Sequence, residues 1–367
     1  MSTLRYSVIG TGLMGVEHIM NLSVLKNVLN YDLEIVAIAD PHEPSRISAI
    51  TAASPHFNPM QFSDYKIMLQ QQHTDVVIIA TPNFHHVEVL LYVLKEYPKM
   101  HILCEKPMCT TVDDCRKVID ASQSRSGRLW IGLEYRYMPP VARIIEEVRA
   151  GTVGRLRMVS IREHRFPFLV KVDNWNRFSV NTGGTLVEKC CHFFDLFNEM
   201  NEGRAPISVF AEGAQNVNHL SETYDGKKSD ILDNAFVLLQ YDNGVRAMLD
   251  LCMFAEATHN QEEVCAVGDE GKVEAFLPSH EFRIGRRGEH SIGKVHSEII
   301  IEPKVKFPGH HYGSSQLEHM DFYECIQTSL TPKVSPQNGM ISVAVGVAAH
   351  LSIQERRVVY MSEILNS

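Results

Sequence analysis

The sequence lacks the features that would place it in a membrane or on nucleic acid. Its 367 residues include no apolar stretch approaching the roughly 20 residues of a membrane span. It has no run of lysine and arginine, and its formal net charge is −9, so we expect no nucleic-acid partner. Met1–Arg5 leads directly into a predicted strand, and we therefore expect no signal peptide.

Paired cysteines, internal repeats and low-complexity segments are also absent. The eight cysteines are scattered and form no C-x-x-C pair, which fits reduced thiols in the cytoplasm better than a disulfide framework. The hydrophobic content of 44% and the charged content of 22% are typical of a soluble globular protein. A chain of this length is expected to form two or three domains.

A glycine-rich turn near the N-terminus is the clearest positive signal. Tyr6–Ile9 is predicted as a buried strand, and the glycines that follow it fill the pattern G-x-G-x-x-G. The first glycine permits a tight turn, the second lets a pyrophosphate approach the backbone, and the third lets the next helix pack against the strand. The N–H groups and dipole at the start of that helix then bind phosphate. The predicted phosphate-binding residues are Gly10, Thr11, Gly12, Leu13, Met14 and Gly15.

An acidic residue, Asp40, ends the second predicted strand, Leu33–Ala39. The adenine ribose of a bound dinucleotide needs a hydrogen-bond acceptor at this position. A carboxylate there disfavours the 2′-phosphate of NADP, so the sequence predicts NAD; Arg46 lies close by, and NADP is the second choice. Ordinary turn glycines and a solvated aspartate are the plainer alternative, but the order strand, turn, helix, strand and acid favours a dinucleotide site.

The first part of the chain alternates predicted strands and helices, which indicates a doubly wound parallel sheet. Polar clusters follow three of its strands, at Thr81–His86, Glu105–Pro107 and Glu134–Tyr137. The carboxyl ends of parallel strands form the ligand crevice of such a sheet, so these clusters are expected to lie together. The fold class is thus α/β, with an N-terminal Rossmann domain over residues 1–137.

Residues 138–367 are predicted to form a second domain of α+β type. One helix over Leu186–Met200 precedes a strand-rich stretch, in which Asp242-Asn243-Gly244 is a hairpin signal. A mostly antiparallel sheet with helices on one face is expected. Because the other face of such a sheet often pairs across subunits, we predict a homodimer or homotetramer formed through it.

Residues able to move a proton occur at two places. Lys106 follows a strand of the first domain, and Glu188 and His192, four residues apart, share a face of the predicted helix. Oxidation of an alcohol removes a hydride from carbon and a proton from oxygen, and the proton needs an acceptor. His192 suits this role best. Lys106 would stabilise the developing charge on oxygen, and Asp195 would orient the imidazole.

These motifs together resemble those of the Gfo/Idh/MocA family of nicotinamide-dependent sugar and inositol dehydrogenases, over essentially the whole chain. Besides the glycine motif, the resemblance rests on T-P-N-x-x-H at Thr81–His86, E-K-P at Glu105–Pro107, and G-G-x-x-x-[DE]-x-x-x-H-x-x-D at Gly183–Asp195. In that family the E-K-P lysine and the helix histidine act on the substrate hydroxyl, which implies Lys106 and His192. The family's usual aspartate is Glu188 here, and its side chain reaches one methylene further.

The resemblance implies further contacts as well. Four residues of the first domain are expected along the nicotinamide ribose, and two more are expected to touch the cofactor. The ribose residues are Thr81, Pro82, Asn83 and His86, and the other two are Glu105 and Lys106. A polyol pocket is predicted from Lys106, Glu188 and His192 together with Tyr135, Arg136, Trp175 and Arg177.

Each catalytic residue also has a plainer interpretation. Lys106 would by itself be a solvated loop lysine, His192 a core histidine satisfied by Asp195, and Glu188 a helix-start acid. The loop around Trp175 would be an ordinary surface loop. Cys190-Cys191-His192 suggests a metal, but consecutive helix residues point about 100° apart and chelate poorly, so no metal site is predicted.

The sequence therefore predicts an NAD-dependent dehydrogenase acting on a secondary hydroxyl of a sugar, glycoside or cyclitol. One alternative is a redox-neutral glycosidase or lyase that oxidises and re-reduces its substrate with tightly bound NAD. Reduction of a biliverdin-type substrate is another use of this fold. A further alternative is a non-catalytic dinucleotide-binding regulator, but such a protein is expected to have lost Lys106 or His192, and both are present.

Overall fold

The structure, a computed structural model, describes residues 3–54 and 56–366 and divides into two compact units. The first unit holds the chain up to Glu134 and also Pro303–Met340; the second holds Tyr135–Glu302 and the chain from Ile341 onward. The sequence had placed one boundary near residue 137 and assigned all later residues to the second domain. In the structure, residues 303–340 belong to the first unit instead.

Strands and helices alternate through the first part of the chain, as expected for a doubly wound fold. The elements are β1 (Leu4–Ile9), α1 (Leu13–Asn27), β2 (Leu33–Ala39), α2 (Glu43–Ala53), β3 (Met60–Phe62), α3 (Tyr65–Gln71), β4 (Val76–Ile79), α4 (His86–Glu96), β5 (His101–Glu105), α5 (Val112–Ser122) and β6 (Leu129–Gly132). Strands β4, β5 and β6 consist almost wholly of buried residues, because helices are available to cover both faces of such a sheet.

The six strands form one sheet in the order β3-β2-β1-β4-β5-β6, and every pairing in it is parallel. The winding reverses between β1 and β4, which is where a doubly wound sheet binds its ligand. The ends of β1, β4, β5 and β6 therefore bring the glycine motif and the polar clusters to one edge. The predicted Rossmann fold is confirmed.

The second unit contains most of the remaining elements. In chain order these are α6 (Pro139–Arg149), β7 (Leu156–His164), α7 (Ser179–Thr182), α8 (Thr185–Glu188), α9 (Cys191–Met200), β8 (Ser208–Ala214), β9 (Thr223–Tyr224), β10 (Lys227–Lys228), β11 (Asn234–Gln240), β12 (Arg246–Cys252), β13 (Glu262–Gly268), β14 (Gly271–Leu277), β15 (Glu281–Arg286) and β16 (His296–Ile299). The chain ends with α10 (Ser314–Thr328), α11 (Pro336–Glu355), β17 (Val359–Tyr360) and α12 (Met361–Leu365). No helix in the described part of the chain is long and apolar enough to span a bilayer.

A nine-stranded sheet forms the framework of the second unit, in the order β16-β15-β14-β13-β7-β12-β11-β8-β17. Among the ladders that the described residues form in this sheet, only the β7–β12 pairing is parallel, so the expectation of a mostly antiparallel sheet is confirmed. The predicted hairpin joins β11 to β12, and Gly244 in its turn has a φ of +82°. The predicted α+β class of this part is therefore confirmed.

Long-range contacts explain why residues 303–340 belong to the first unit. The buried indole of Trp130 on β6 donates a hydrogen bond from Nε1 to Oε1 of Glu318 on α10, at 3.0 Å. The ring of Phe322, one turn further along α10, lies 5.6 Å from the Trp130 ring. A helix that buries an aromatic pair and a carboxylate against a sheet belongs to the core of that sheet. This partnership leaves no signal in the sequence, because the partners are 188 residues apart along the chain.

The prediction of one continuous helix over Leu186–Met200 is wrong, because the helix is interrupted. The structure has two helices, α8 and α9, separated by a turn at Lys189 and Cys190. Both turn residues keep right-handed helical backbone angles, although the helix is interrupted there. The interruption coincides with a buried ionic contact of Lys189, described below.

We expect Trp130→Phe to lower the free energy of unfolding by about 2 kcal/mol, because the buried Glu318 carboxylate loses a hydrogen-bond donor. Urea denaturation followed by circular dichroism measures this change. Tyr323→Phe on the same helix is the matched control. Its hydroxyl lies 3.5 Å from the Asp32 carbonyl oxygen in an exposed position, and a change within about 0.5 kcal/mol is expected. Equal effects of the two substitutions would contradict the docking of α10 through Glu318.

Candidate functional site

The turn between β1 and α1 has room only for glycine at two of its positions. Gly10 has a φ of +86°, and a Cβ there would lie 2.5 Å from the carbonyl carbon and oxygen of Ala80 at the end of β4. A Cβ at Gly15 would lie 2.1 Å from the carbonyl oxygen of Gly10. Both contacts are shorter than any side chain tolerates. The first and third glycines of the motif are therefore required by packing within the protein.

Gly12 differs from its two neighbours in the motif. A Cβ built at this position meets no atom of the described residues within 4 Å, so the space above it is open. Gly12 is also the N-cap of α1, which has no side-chain cap and no acidic residue in its first turn. The first turn of this helix thus supplies N–H groups and a positive dipole end beside that open space, as a bound phosphate requires.

Asp40 lies beside this turn. Its Oδ2 accepts a hydrogen bond from the backbone N–H of Thr11 at 2.7 Å, and its Oδ1 accepts one from the N–H of His42 at 2.8 Å. The guanidinium of Arg46 donates to the Asp40 carbonyl oxygen at 2.6 Å. The carboxylate thus orders the glycine turn and keeps spare lone pairs for a ribose hydroxyl. Its role as a ribose acceptor remains a prediction.

Several buried polar atoms at the same edge have no hydrogen-bond partner among the residues that the structure describes. They are Thr11 Oγ1, Thr81 Oγ1 and Asn83 Nδ2. Buried polar groups are rarely left unsatisfied unless a ligand or water completes them. Together with the open space above Gly12, these atoms fit a dinucleotide lying across the ends of β1 and β4.

His86, by contrast, contacts the protein backbone on both sides of its ring. Nδ1 lies 2.8 Å from the carbonyl oxygen of Pro107, and Nε2 lies 3.0 Å from that of Thr81. Burial lowers the pKa of this imidazole, and the two carbonyl groups oppose the shift. His86 therefore links the end of β4 to the E-K-P loop. A direct contact with the nicotinamide ribose stays a prediction for this residue.

Glu105 belongs to a buried chain of hydrogen bonds that the sequence did not predict. Its Oε1 lies 2.9 Å from Nε2 of His18 on α1, and Nδ1 of His18 lies 2.8 Å from Nε2 of His319 on α10. Its Oε2 accepts the backbone N–H of Lys106 at 3.1 Å. Burial alone would raise the pKa of Glu105, but the bond from His18 and the nearby charge of Lys106 outweigh it and lower the pKa to about 2. Glu105 is thus an anion that fixes the backbone of the catalytic lysine candidate.

More acidic residues surround the same loop in the first unit. Oε1 of Glu134 lies 3.4 Å from Nδ1 of His311, and Oε1 of Glu17 accepts the backbone N–H of His310 at 3.1 Å. Burial, aided by the charge of Glu105, raises the pKa of Glu134 well above its usual range. The sequence offered one sign of this cluster, the adjacent polar pair Glu17 and His18 inside an otherwise apolar helix.

The Gly183-Gly184 pair positions the helices of the second unit. Gly183 ends α7 and Gly184 starts α8, with φ values of +79° and +85°. A Cβ at Gly184 would lie 2.4 Å from Nε2 of His350, which itself accepts the backbone N–H of Leu186 at 3.1 Å. Two consecutive left-handed residues followed by a close contact require glycine at this turn. The turn directs α8, and hence Glu188, into the interior.

His192 is buried on α9 and stacks on an aromatic ring. The ring centroids of His192 and Tyr135 are 3.9 Å apart and the planes are 9° from parallel. The Tyr135 hydroxyl lies 2.6 Å from Nζ of Lys189, and that ammonium lies 2.9 Å from Oε1 of Glu163 on β7. Lys189 was absent from the sequence-predicted site. Its only sequence sign was its place between Glu188 and His192.

Asp195, three residues after His192 on α9, forms an ion pair with Arg136. Its two carboxylate oxygens accept hydrogen bonds from Nε and Nη2 of Arg136 at 2.5 and 2.6 Å, and Nη1 of Arg136 lies 2.7 Å from Glu199. Burial raises the pKa of Asp195 and the Arg136 charge opposes the shift. Asp195 is thus paired with Arg136, and its orientation of the imidazole remains a prediction. This pairing fixes α9 to Tyr135–Tyr137, and substrate binding by Arg136 stays a prediction.

The predicted sugar-binding loop is partly buried. Arg177 is 2% exposed; its Nε lies 3.3 Å from the Tyr224 hydroxyl and its Nη2 3.2 Å from the Phe168 carbonyl oxygen. Its Nη1 has no hydrogen-bond partner within the described ranges. Trp175 is half-buried in the short 3₁₀ helix Val172–Arg177. Arg177 thus shapes the loop and keeps one donor for a ligand, while the roles of both residues in binding remain predictions.

Two family models together match most of the chain. Residues 4–133 match the model described as "Oxidoreductase family, NAD-binding Rossmann fold". Residues 145–361 match the model described as "Oxidoreductase family, C-terminal alpha/beta domain". Both models are of the Gfo/Idh/MocA family.

Curated relatives and solved structures agree with these models. The chain is 23% identical over 363 residues to myo-inositol 2-dehydrogenase of Thermotoga maritima, covering 99% of this chain and 100% of the relative. It is 26% identical over 252 residues to D-glucoside 3-dehydrogenase of Escherichia coli, covering 66% and 68% of the two chains. A levoglucosan dehydrogenase solved with NADH and levoglucosan has a TM-score of 0.83 at 18% identity, covering 98% and 99%.

We expect Gly12→Ala to leave folding unchanged but to weaken NAD binding at least about tenfold, or about 1.4 kcal/mol. The added methyl group fills the open space through which the pyrophosphate approaches the backbone. Calorimetric titration with NAD and thermal denaturation measure the two properties.

Gly15→Ala is the matched control. Its Cβ would clash with the Gly10 carbonyl oxygen at 2.1 Å, so this substitution is expected to destabilise the fold. Unchanged NAD affinity in a folded Gly12→Ala protein would contradict the assignment of the phosphate site.

Proposed function

The chain belongs to the Gfo/Idh/MocA oxidoreductase family, and we propose that it is an NAD-dependent dehydrogenase acting on a secondary hydroxyl of a sugar, glycoside or cyclitol. One observation carries the proposal. His192 is buried and stacked on Tyr135 at 3.9 Å, four residues after the buried carboxylate of Glu188. A histidine held in this way suits proton transfer better than a solvated surface role. The family's proton-handling set of Lys106, Glu188 and His192 is complete.

The proposed cofactor residues lie at one edge of the parallel sheet. The backbone of Gly10–Gly15 would hold the phosphates, Asp40 the adenine ribose, and Thr81 with Asn83 the nicotinamide ribose. Bound NAD supplies the hydride acceptor of the reaction. Glu105 holds the backbone of Lys106 at this edge through its 3.1 Å hydrogen bond. The carboxylate of Asp40 supports NAD over NADP, because a 2′-phosphate beside it would be repelled.

The proposed proton chemistry divides among three side chains. The Lys106 ammonium donates a hydrogen bond to the substrate hydroxyl oxygen and stabilises the negative charge that develops there. His192 in its neutral form accepts the hydroxyl proton, as a general base must. Glu188 accepts a hydrogen bond from a neighbouring substrate hydroxyl and orients the ring. In the reverse direction His192 returns the proton to the carbonyl oxygen.

A polyol substrate is proposed from the residue types of the second unit. The Trp175 indole offers an apolar face for a sugar ring, and Nη1 of Arg177, which has no partner among the described residues, offers a hydrogen-bond donor. The relatives are named for inositol and glucoside oxidation, and a structural neighbour was solved with levoglucosan. These names support a cyclic polyol with adjacent hydroxyl groups as the substrate class.

The decisive experiment follows nicotinamide absorbance while the protein is offered NAD or NADP with a panel of sugars, glycosides and inositols. Reduction of NAD with one class of cyclic polyol is expected, with a weaker signal for NADP. His192→Ala should then lower kcat about a hundredfold or more and leave NAD affinity nearly intact.

His290→Ala, at an exposed histidine, is the control and should keep full activity. If the protein binds NAD by calorimetry but reduces it with none of the sugars, glycosides and inositols, the proposed substrate class is contradicted. Collapse of NAD binding in His192→Ala would instead show that His192 is structural.

We also propose that the open face of the nine-stranded sheet joins copies of this chain. Residues on strands β7, β11 and β12 alternate, so that Val237, Leu239 and Leu249 are buried on one face. The opposite face exposes large apolar side chains by 40 to 60% of their surface, namely Met158, Phe236, Leu238 and Met248. Leu238 and Met248 are direct cross-strand neighbours. Such a contiguous apolar patch supports a homodimer or homotetramer.

The oligomer is tested by light scattering coupled to size-exclusion chromatography. The natural chain should elute as a dimer or tetramer, and Phe236→Glu with Leu238→Glu should shift it toward the monomer, because two buried carboxylates would face their symmetry mates. Ile292→Glu, at a position 87% exposed away from this face, is the control and should change nothing. A monomeric natural chain would contradict the proposal.

The thiols of the chain support a reducing compartment. None of the eight cysteines, all of which lie in the described residues, forms a disulfide, and six of them are buried. Free buried cysteines behave as small apolar packing residues and persist where glutathione keeps them reduced. We therefore propose that the enzyme works in the cytoplasm.

A further inference from the structure

Lys189 is a cation held inside the second unit. It is 4% exposed, lies in the turn between α8 and α9, and contacts Glu163 Oε1 at 2.9 Å and the Tyr135 hydroxyl at 2.6 Å. Its ammonium also lies 4.9 Å from the centre of the Tyr135 ring. The imidazole of His192 stacks on the same Tyr135 ring. A continuous path thus leads from Glu163 through Lys189 and Tyr135 to His192.

A buried ammonium is costly, and an apolar side chain of similar length would fill the same space at no electrostatic cost. Burial lowers the pKa of Lys189, and the charge of Glu163 opposes the shift. The helix of the sequence prediction is interrupted at this residue. Lys189 lies where the helix is interrupted and carries a buried charge near the candidate base His192. Local rules are usually broken in this way at functional sites, so we expect an effect of Lys189 on the chemistry of His192.

Two basic and two acidic side chains lie at the Lys189 end of the path. On β7 and β13, Glu163 and Glu262 are direct cross-strand partners, and burial together with Glu163 raises the pKa of Glu262 to about 7. Arg165 lies 3.2 Å from Glu163. Lys189 and Arg165 therefore face two acidic side chains, of which Glu262 holds its proton more strongly than an ordinary glutamate.

The other titratable groups belong to the elements that carry His192. Asp195 and Glu199 on α9 are paired with Arg136, and Glu188 ends α8 as a buried carboxyl group. The thiols of Cys190 and Cys191 are buried beside it. Arg136 and Arg149, which also pairs with Glu199, offset the carboxylates of Asp195 and Glu199, so the positive charge left to act on the imidazole comes from Lys189 and Arg165. A positive charge there disfavours the imidazolium form of His192.

We propose that Lys189 is a positioning residue for His192: it anchors the Tyr135 ring on which the imidazole stacks, and its charge keeps that imidazole neutral and able to accept a proton. The proposal rests on the function proposed above, in which His192 is the general base. It assigns two separable effects to one side chain, a charge effect and an anchoring effect.

The charge effect is tested with Lys189→Met, which keeps the length and removes the charge. The acidic limb of the kcat/KM profile should move up by about one pH unit, so that activity falls about tenfold at pH 6 and little at pH 9. Lys272→Met, at an ion pair with Glu274 elsewhere in the sheet, is the matched control and should leave the profile unchanged. Equal loss at every pH would overturn the charge effect.

The anchoring effect is tested with Tyr135→Phe, which keeps the stacked ring and removes the hydroxyl that contacts Lys189. It should lower kcat several-fold at all pH values with little movement of the acidic limb. A kcat within twofold of the natural enzyme would overturn this part. Tyr135→Phe preserves the packing volume, so it can be measured even if Lys189→Met fails to fold. Lys189→Arg can be measured in that case too, and it should retain the natural pH profile.

A readout independent of turnover separates this proposal from the proposed function. Proton NMR follows the His192 Cε1–H with pH in protein carrying ¹³C-labelled histidine, and His192→Gln identifies the resonance. In Lys189→Met the midpoint of that titration should rise by about one pH unit. A rise without any dehydrogenase activity would support the Lys189 effect and refute the function; an unchanged midpoint would overturn the Lys189 effect whatever the activity.

Discussion

The close approach of backbone segments at the end of β1 is the constraint on which the nucleotide site depends. The turn at Gly10 lies so near Ala80, and Gly15 so near the Gly10 carbonyl, that neither position accepts a side chain. The crowding follows from the strand order, because β1 and β4 are neighbours where the winding of the sheet reverses. The start of α1 is thereby fixed above the edge that carries Thr81 and Glu105. Backbone packing shapes this site first, and side chains complete it.

Buried charge organises the second unit. Arg136 holds α9 through Asp195 and Glu199, and Lys189 holds the start of the same helix through Glu163 on β7. Pairs of this kind contribute little net stability, since desolvation offsets most of their attraction. Breaking one partner is nevertheless costly, so each pair permits a single arrangement. The imidazole of His192 is therefore held by the Tyr135 ring on which it stacks and by the ion pairs that fix its own helix, α9.

Local patterns in the sequence predicted what local physics controls. The bounds of β2 were predicted as found, because a continuous apolar run ends at Asp40, and the Asp242-Asn243-Gly244 hairpin followed from its turn chemistry. The bonds from His18 to Glu105 and His319 were missed, since the partners are separated by 87 and 301 residues. The docking of α10 on Trp130 was missed for the same reason. Such pairings depend on topology and leave no periodic signal in one sequence.

The turn at Lys189 shows why the residues nearest the chemistry are the hardest to predict. Residues 186–200 form a good helical pattern, and propensity alone favours one unbroken helix. Tertiary contacts override it, because a lysine on the buried side must reach Glu163 and the Tyr135 hydroxyl. Local and global preferences agree through most of a natural fold, and disagreement concentrates where function requires it. The broken helix and the buried ammonium are one such disagreement, and both lie within three residues of His192.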